Sequence, residues 1–158
     1  VKACYIETIL LIERLHRRFL DVIKTELDRL KISDINNVQT LILYNISSEE
    51  LTIGELTVRG YYLGSNVSYN VKKLVENGYL VQERSPHDKR STRVKLSPKG
   101  LDLCQKIDEL YQRNVKILLE EGPSQEALNT MNETLKQLER FWTNHINDAY
   151  RLGYSSAE

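Results

Sequence analysis

The sequence predicts a mainly α (α+β) fold, a set of amphipathic helices with one short β-hairpin near the middle. Three observations carry this. Apolar residues recur at helical spacing through both ends of the chain. Two β-branched runs, YLVQER and TRVKLS, flank a polar, proline-headed stretch, SPHDKRS. Helix-starting and helix-stopping residues fall at the joins between the periodic segments. A length of 158 residues with 41% apolar content suits one domain with helical extensions and a sizeable core.

The first element spans residues 4–30. Ile6, Ile9, Leu10, Leu15, Phe19, Val22, Ile23 and Leu30 cover more than one narrow stripe, so this helix is expected to pack against several partners. Its charges every few residues set it apart from a signal peptide. SDINNVQTLILYNI reads as a second helix, opened by Ser33 or Asp34 and ending near Asn45. TIGEL is a capping box: Thr52 caps the amide of residue 55 while Glu55 reaches back to that of residue 52. The short helix that follows is broken near RGYYLG by Gly60 and Gly64.

SNVSYNVKKLVENG, opened by Ser65 or Asn66, is the fourth helix. Its buried face is Val67, Val71, Leu74 and Val75, and Asn77 and Gly78 close it. After the hairpin, Ser97 and Pro98 restart a helix that runs to about Glu120. EEGPSQEAL interrupts, and the last helix begins near Gln125. There Leu128, Met131, Leu135, Leu138, Trp142 and Ala149 fall largely at heptad a and d spacing, which points to helix–helix pairing.

The formal net charge is zero, but the charges are unevenly spread. Residues 51–100 carry 9 basic and 4 acidic side chains, and residues 101–158 carry 6 and 10. Lys72, Lys73, Arg84, Lys89, Arg90, Arg93, Lys95 and Lys99 make a local basic footprint suited to a polyanion. The third and fourth helices, joined by a short glycine-containing turn, form a helix-turn-helix. Ser65, Asn66, Ser68, Tyr69, Lys72 and Lys73 fall on the side of the fourth helix away from the valine stripe. Ser and Asn bond base edges, and Lys and Tyr bond phosphates. A solvated face with two lysines is the alternative for that helix alone. The basic hairpin decides between them, because helix-turn-helix plus β-wing is a winged helix with both basic elements on one side. Arg93 and Lys95, two apart on a strand, share a sheet face suited to phosphates, although exposed strands also carry lysines to discourage edge pairing.

With these elements in place the chain resembles the MarR family of bacterial transcriptional regulators over nearly its whole length. TIGEL, GSNVSYNVKKLVENGYLVQE, the DKR of the wing and KLSPKG match that family's order and spacing. The resemblance implies a homodimer on a palindromic double-stranded DNA operator. It assigns the winged helix-turn-helix to 33–97 and the helical dimerisation regions to 1–32 and 98–158. It places residues 65–77 in the major groove and Arg90 of the wing tip in the minor groove, with Asp88 holding Arg90 by a salt bridge. Lys89 reads as a phosphate contact or a solvated charge, and Pro86 and His87 as scaffolding of the loop. Tyr69 stands where most recognition helices of the family carry arginine, which leaves the preferred base sequence open. Tyr61 and Tyr62 read as supports of the turn rather than base readers.

The resemblance further implies a small aromatic or phenolic effector near His16 and Arg17 of the first helix, Thr40 and Tyr44 of the second, and Cys104 and Tyr111 of the fifth. For His16, a partly buried, hydrogen-bonded helix residue is the plainer reading. Some relatives sense peroxide through a first-helix cysteine. Cys4 has only Lys2 nearby to stabilise a thiolate, so it reads as structural or incidental. Cys104 shares a helix face with Leu101, Asp108 and Tyr111 and reads as packing.

Other classes fit poorly. No apolar run approaches the ~18 residues of a membrane span, and the two cysteines have no metal spacing, which suits a reducing, cytoplasmic setting. There is no metal-ligand set, no G-x-S-x-G and no phosphate-cradling loop, so neither an enzyme nor a cofactor or metal is expected. The competing expectation is a winged helix that binds protein instead of DNA. It calls for an apolar exposed patch on the fourth helix, which the sequence does not show.

Overall fold

The computed structural model describes residues 1–46, 49–60, 64–84 and 91–155. Among the described residues the order is α1 (Lys2–Arg29), α2 (Asn37–Ile46), β1 (Leu51–Thr52), α3 (Ile53–Gly60), α4 (Gly64–Glu76), β2 (Leu80–Arg84), β3 (Thr92–Leu96), α5 (Pro98–Glu121) and α6 (Gln125–Ser155). The mainly helical fold with one hairpin is therefore as the sequence predicts. The chain divides into two compact units, Val1–Tyr111 and Gln112–Glu158. The first takes in α1 and the start of α5 as well as residues 33–97.

Helix ends explain most of the boundaries. At α3 the capping box forms as expected: the Glu55 amide donates to Thr52 Oγ1 at 3.1 Å, and the Thr52 amide donates to Glu55 Oε2 at 2.7 Å. At α2 the cap is neither Ser33 nor Asp34. Asn36 takes that place, accepting the Gln39 amide at 2.8 Å while Gln39 Oε1 accepts the Asn36 amide at 3.1 Å. The Asp34 side chain is committed to Tyr79 and Lys99 instead. α4 begins at Gly64, so Ser65 and Asn66 lie inside its first turn rather than before it. Its other end is a Schellman motif. The Tyr79 amide reaches Leu74 O at 2.9 Å, the Gly78 amide reaches Val75 O at 3.1 Å, and Gly78 has φ 79°. α1 ends the same way, through Ile32 to Leu27 and Lys31 to Asp28, but with Lys31 in the left-handed position at φ 56°.

The sheet is three-stranded and antiparallel, in the order β1-β3-β2. β1 was not foreseen; it pairs Leu51 with Val94 and Thr52 with Arg93. The hairpin register sets Glu83 opposite Arg93 and Val81 opposite Lys95. α5 starts where predicted: Ser97 Oγ accepts the Gly100 amide at 3.1 Å, and the Ser97 amide donates to Tyr79 O at 3.0 Å. A Cβ on Gly100 would stand 2.3 Å from that same carbonyl, so only glycine lets α5 approach the end of α4 this closely.

The first unit closes a core. Ile23, Ile42, Leu43, Ile46, Leu56 and Val67 are among its fully buried side chains, drawn from α1, α2, α3 and α4. The expected face of α4 is buried at Val67, Val71 and Leu74, with Val75 half-buried. In the second unit Ser124 caps α6, its Oγ accepting the Ala127 amide at 3.1 Å. Leu128, Leu138 and Trp142 are half-buried there, while Met131 and Leu135 stay exposed.

Candidate nucleic-acid interface

Burial of the valine face fixes which side of α4 looks outward. Asn66, Ser68, Tyr69 and Lys72 are exposed and Lys73 is half-exposed; the Ser65 side chain lies outside the described residues. Tyr69 is 61% exposed, and the Lys73 ammonium lies 5.9 Å from its ring centroid. Lys73 also stands 3.4 Å from Glu76. Lys72 has no ionic partner among the described residues and is the cation this helix can offer to a phosphate.

The hairpin sorts its cations in a similar way. Arg93 and Lys95 share the outward face, as their spacing requires. Lys95 is bound to Glu83 at 2.9 Å, and that hydrogen bond and charge raise its pKa. Arg93 has no ionic partner among the described residues. Arg84, at the end of β2, is exposed. The wing tip at 85–90, including Asp88, Lys89 and Arg90, lies outside the described residues, as do Tyr61 and Tyr62.

Sequence reasoning missed the residues behind this face. Gln39, buried on α2, donates to Asn70 Oδ1 at 3.2 Å, and Asn70 donates to Asn66 O at 2.9 Å. The capping pattern N-N-V-Q was present to find Gln39; nothing local signalled that it would reach Asn70.

Residues 35–100 match the winged helix DNA-binding domain profile. The chain is 37% identical over 140 residues to the exopolysaccharide II synthesis transcriptional activator ExpG of Rhizobium meliloti (strain 1021), covering 89% of this chain and 72% of that protein. Among solved structures, Staphylococcus aureus MarR in complex with salicylate and kanamycin superposes with a TM-score of 0.72 at 20% identity, covering 90% of this chain and 94% of that one. Streptococcus pneumoniae FabT in complex with DNA gives 0.71 at 18% identity, covering 89% and 98%. This chain belongs to the MarR-type winged-helix transcriptional regulators.

In this MarR-type regulator three of the six residues expected at an effector site come together. The Tyr44 and Tyr111 rings meet edge-on at 5.2 Å, and Cys104 is close enough to both to influence their ionisation. Phe19, which was not expected there, joins Tyr111 at 6.1 Å. Burial pushes the Cys104 thiol up to about 11 and the Tyr111 hydroxyl up to about 12. Burial also raises Tyr44, helped by its bond to Asp108 at 3.2 Å. The Thr40 hydroxyl is buried and donates to Asn36 O at 2.8 Å. His16 and Arg17 are exposed on α1, with no hydrogen-bond or ionic partner among the described residues. Cys4 is exposed. Among the described residues no group of acidic, histidine or cysteine side chains is placed to hold a metal, and no helix is long and apolar enough to cross a membrane.

Proposed function

We propose that this DNA-binding regulator works in the cytoplasm as a homodimer on a palindromic operator, with a small aromatic or phenolic effector adjusting its affinity. The observation that carries the DNA contact is the outward face of α4, where Asn66, Ser68, Tyr69 and Lys72 are exposed; Arg93 on β3 is exposed as well. Each recognition helix enters a major groove and each wing flanks it, so half-sites lie about one helical turn, ~10 base pairs, apart. Wing residues Asp88, Lys89 and Arg90 extend the contact toward the minor groove. Support for self-association comes from apolar side chains left exposed on the terminal helices: Ile6, Leu10 and Leu11 on α1, and Met131, Leu135 and Ile146 on α6. Support for an effector comes from the partly buried rings of Tyr44 and Tyr111 beside Cys104.

Selection from random double-stranded DNA, followed by a salt titration on the selected site, tests the reading. Affinity falls steeply as salt rises, and Lys72→Ala lowers the slope of log K against log salt by about 1 while weakening all sequences alike. A salt slope near zero removes the basic face from the mechanism. An operator without two-fold symmetry removes the dimeric arrangement.

A further inference from the structure

Asp34 lies in the short connection between α1 and α2, yet its bonds run to Asn77 and Tyr79, just past the end of α4, and to Lys99 in the first turn of α5. Its Oδ1 accepts the Tyr79 hydroxyl at 2.6 Å, its Oδ2 faces the Lys99 ammonium at 2.6 Å, and its carbonyl accepts the Asn77 side-chain amide at 2.8 Å. Lys99 also donates to Asn77 O at 2.9 Å and sits 4.2 Å over the Tyr79 ring. Burial acts to raise the Asp34 carboxyl, but the bonds from Lys99 and Tyr79 outweigh it and hold it below the ordinary carboxylate value. The attachment therefore stays ionic at neutral pH.

A second attachment comes from the first turn of α2, which follows that connection directly. Gln39 uses its oxygen to complete the α2 cap and its nitrogen to hold Asn70 in the middle of α4. Asn70 and Asn77 are seven residues apart, two turns along the helix. Residues 34–39 thus touch α4 at its centre and at its C-cap, and α1 ends only at Arg29.

We propose that residues 34–39 are a clasp that sets where the recognition helix stands, with Asp34 and Gln39 as positioning residues that couple the end of α1 to the DNA face. This rests on the DNA-binding reading above. Neither residue is a DNA contact: Gln39 is buried, and Asp34 carries the wrong charge for a phosphate. Both attachments spring from one short segment, so a displacement of the α1 end shifts both together. α4 then moves as a body instead of fraying.

The test uses full-length wild type, Asp34→Ala, Asp34→Asn and Gln39→Leu. Each is measured on the selected operator, on that operator with one base pair added or removed between half-sites, and on unrelated DNA at low salt. Asp34→Ala is expected to weaken the selected operator about tenfold, while unrelated DNA stays within about twofold because phosphate contacts are unchanged. The preference for the original spacing flattens, and Asp34→Asn, which keeps an acceptor for Tyr79, recovers part of it. Should Asp34→Ala fail to fold by circular dichroism, Tyr79→Phe removes only the hydroxyl and carries the same comparison. Equal losses on selected and unrelated DNA overturn the clasp, as does an unchanged spacing preference in both Asp34→Ala and Gln39→Leu. A wild type that selects no DNA overturns the DNA-binding reading itself, and is seen before any substitution is made.

Discussion

On α4, Val67, Val71 and Leu74 are no more than 2% exposed; on α6, Met131 and Leu135 hold a similar apolar stripe at 46% and 40% exposure. Both helices are amphipathic with comparable periodicity. One belongs to a unit that buries apolar side chains from Ile23 to Leu110, the other to a unit that has no fully buried hydrophobic among its described residues. α1 shows both behaviours in one helix, buried at Ile23 and Leu27 and exposed at Ile6, Leu10, Leu11 and Leu15. Periodicity establishes that a face needs covering. Whether this chain covers it is a separate matter, decided by what the loops bring alongside.

Two substitutions press that contrast hardest. Leu43→Ala, in the closed core, should cost about 2–5 kcal/mol in urea unfolding, with a shift in midpoint independent of protein concentration. Leu135→Glu should act instead on the proposed self-association, turning the sedimenting species from dimer to monomer while leaving the far-ultraviolet spectrum of the chain unchanged. A persistent dimer would mean that the α6 stripe is not the covered surface.

Cys104 offers a smaller, pH-dependent probe of the first unit. Its folded pKa lies above that of a free thiol, so its contribution to stability is complete below the free-thiol range and is lost as pH rises toward about 11. In a Cys4→Ser background, alkylation at pH 8 should run about tenfold slower than for a free thiol, the lower thiolate fraction being partly offset by the higher nucleophilicity of a more basic thiolate. A rate near that of free cysteine would show the site open to solvent. The smallest effect belongs to the α1 cap. Lys31→Gly relieves a left-handed side-chain residue and should stabilise by a few tenths to about 1 kcal/mol in the same urea assay; a destabilisation would show that the Lys31 side chain contributes elsewhere.

Much of this architecture was legible because it is locally encoded. Thr52 and Glu55, Ser97 and Pro98, and the valine stripe closed by Gly78 each announce themselves within a few residues. β1 could not, since two residues have no period and Leu51 is a strand only because Val94 lies beside it. The α2 cap was misassigned to Ser33 or Asp34 although Asn36 and Gln39 also fit the cap pattern. What excludes Asp34 is a pair of partners 45 and 65 residues away. The exposed side of α4 followed from periodicity. Lys95 is neutralised by Glu83 along the diagonal of the hairpin, although the register sets Glu83 opposite Arg93; neither the register nor that choice of partner is displayed by the sequence. At the aromatic cluster Tyr44, Cys104 and Tyr111 were anticipated, whereas Phe19 belonged to a stripe assigned only to packing.

The end of α4 also bears on how the protein ages. Asn77 is followed by Gly78, the pairing in which an asparagine side chain cyclises most readily, because glycine leaves its own backbone nitrogen unshielded. Here both reactants are occupied: the Asn77 amide is bound to Asp34 O, and the Gly78 nitrogen is bound to Val75 O with φ held at 79°. Succinimide formation must wait until both bonds open. Deamidated Asn77 in a stored sample would therefore be a chemical record of how often the helix end had come undone, readable by mass spectrometry long after the event.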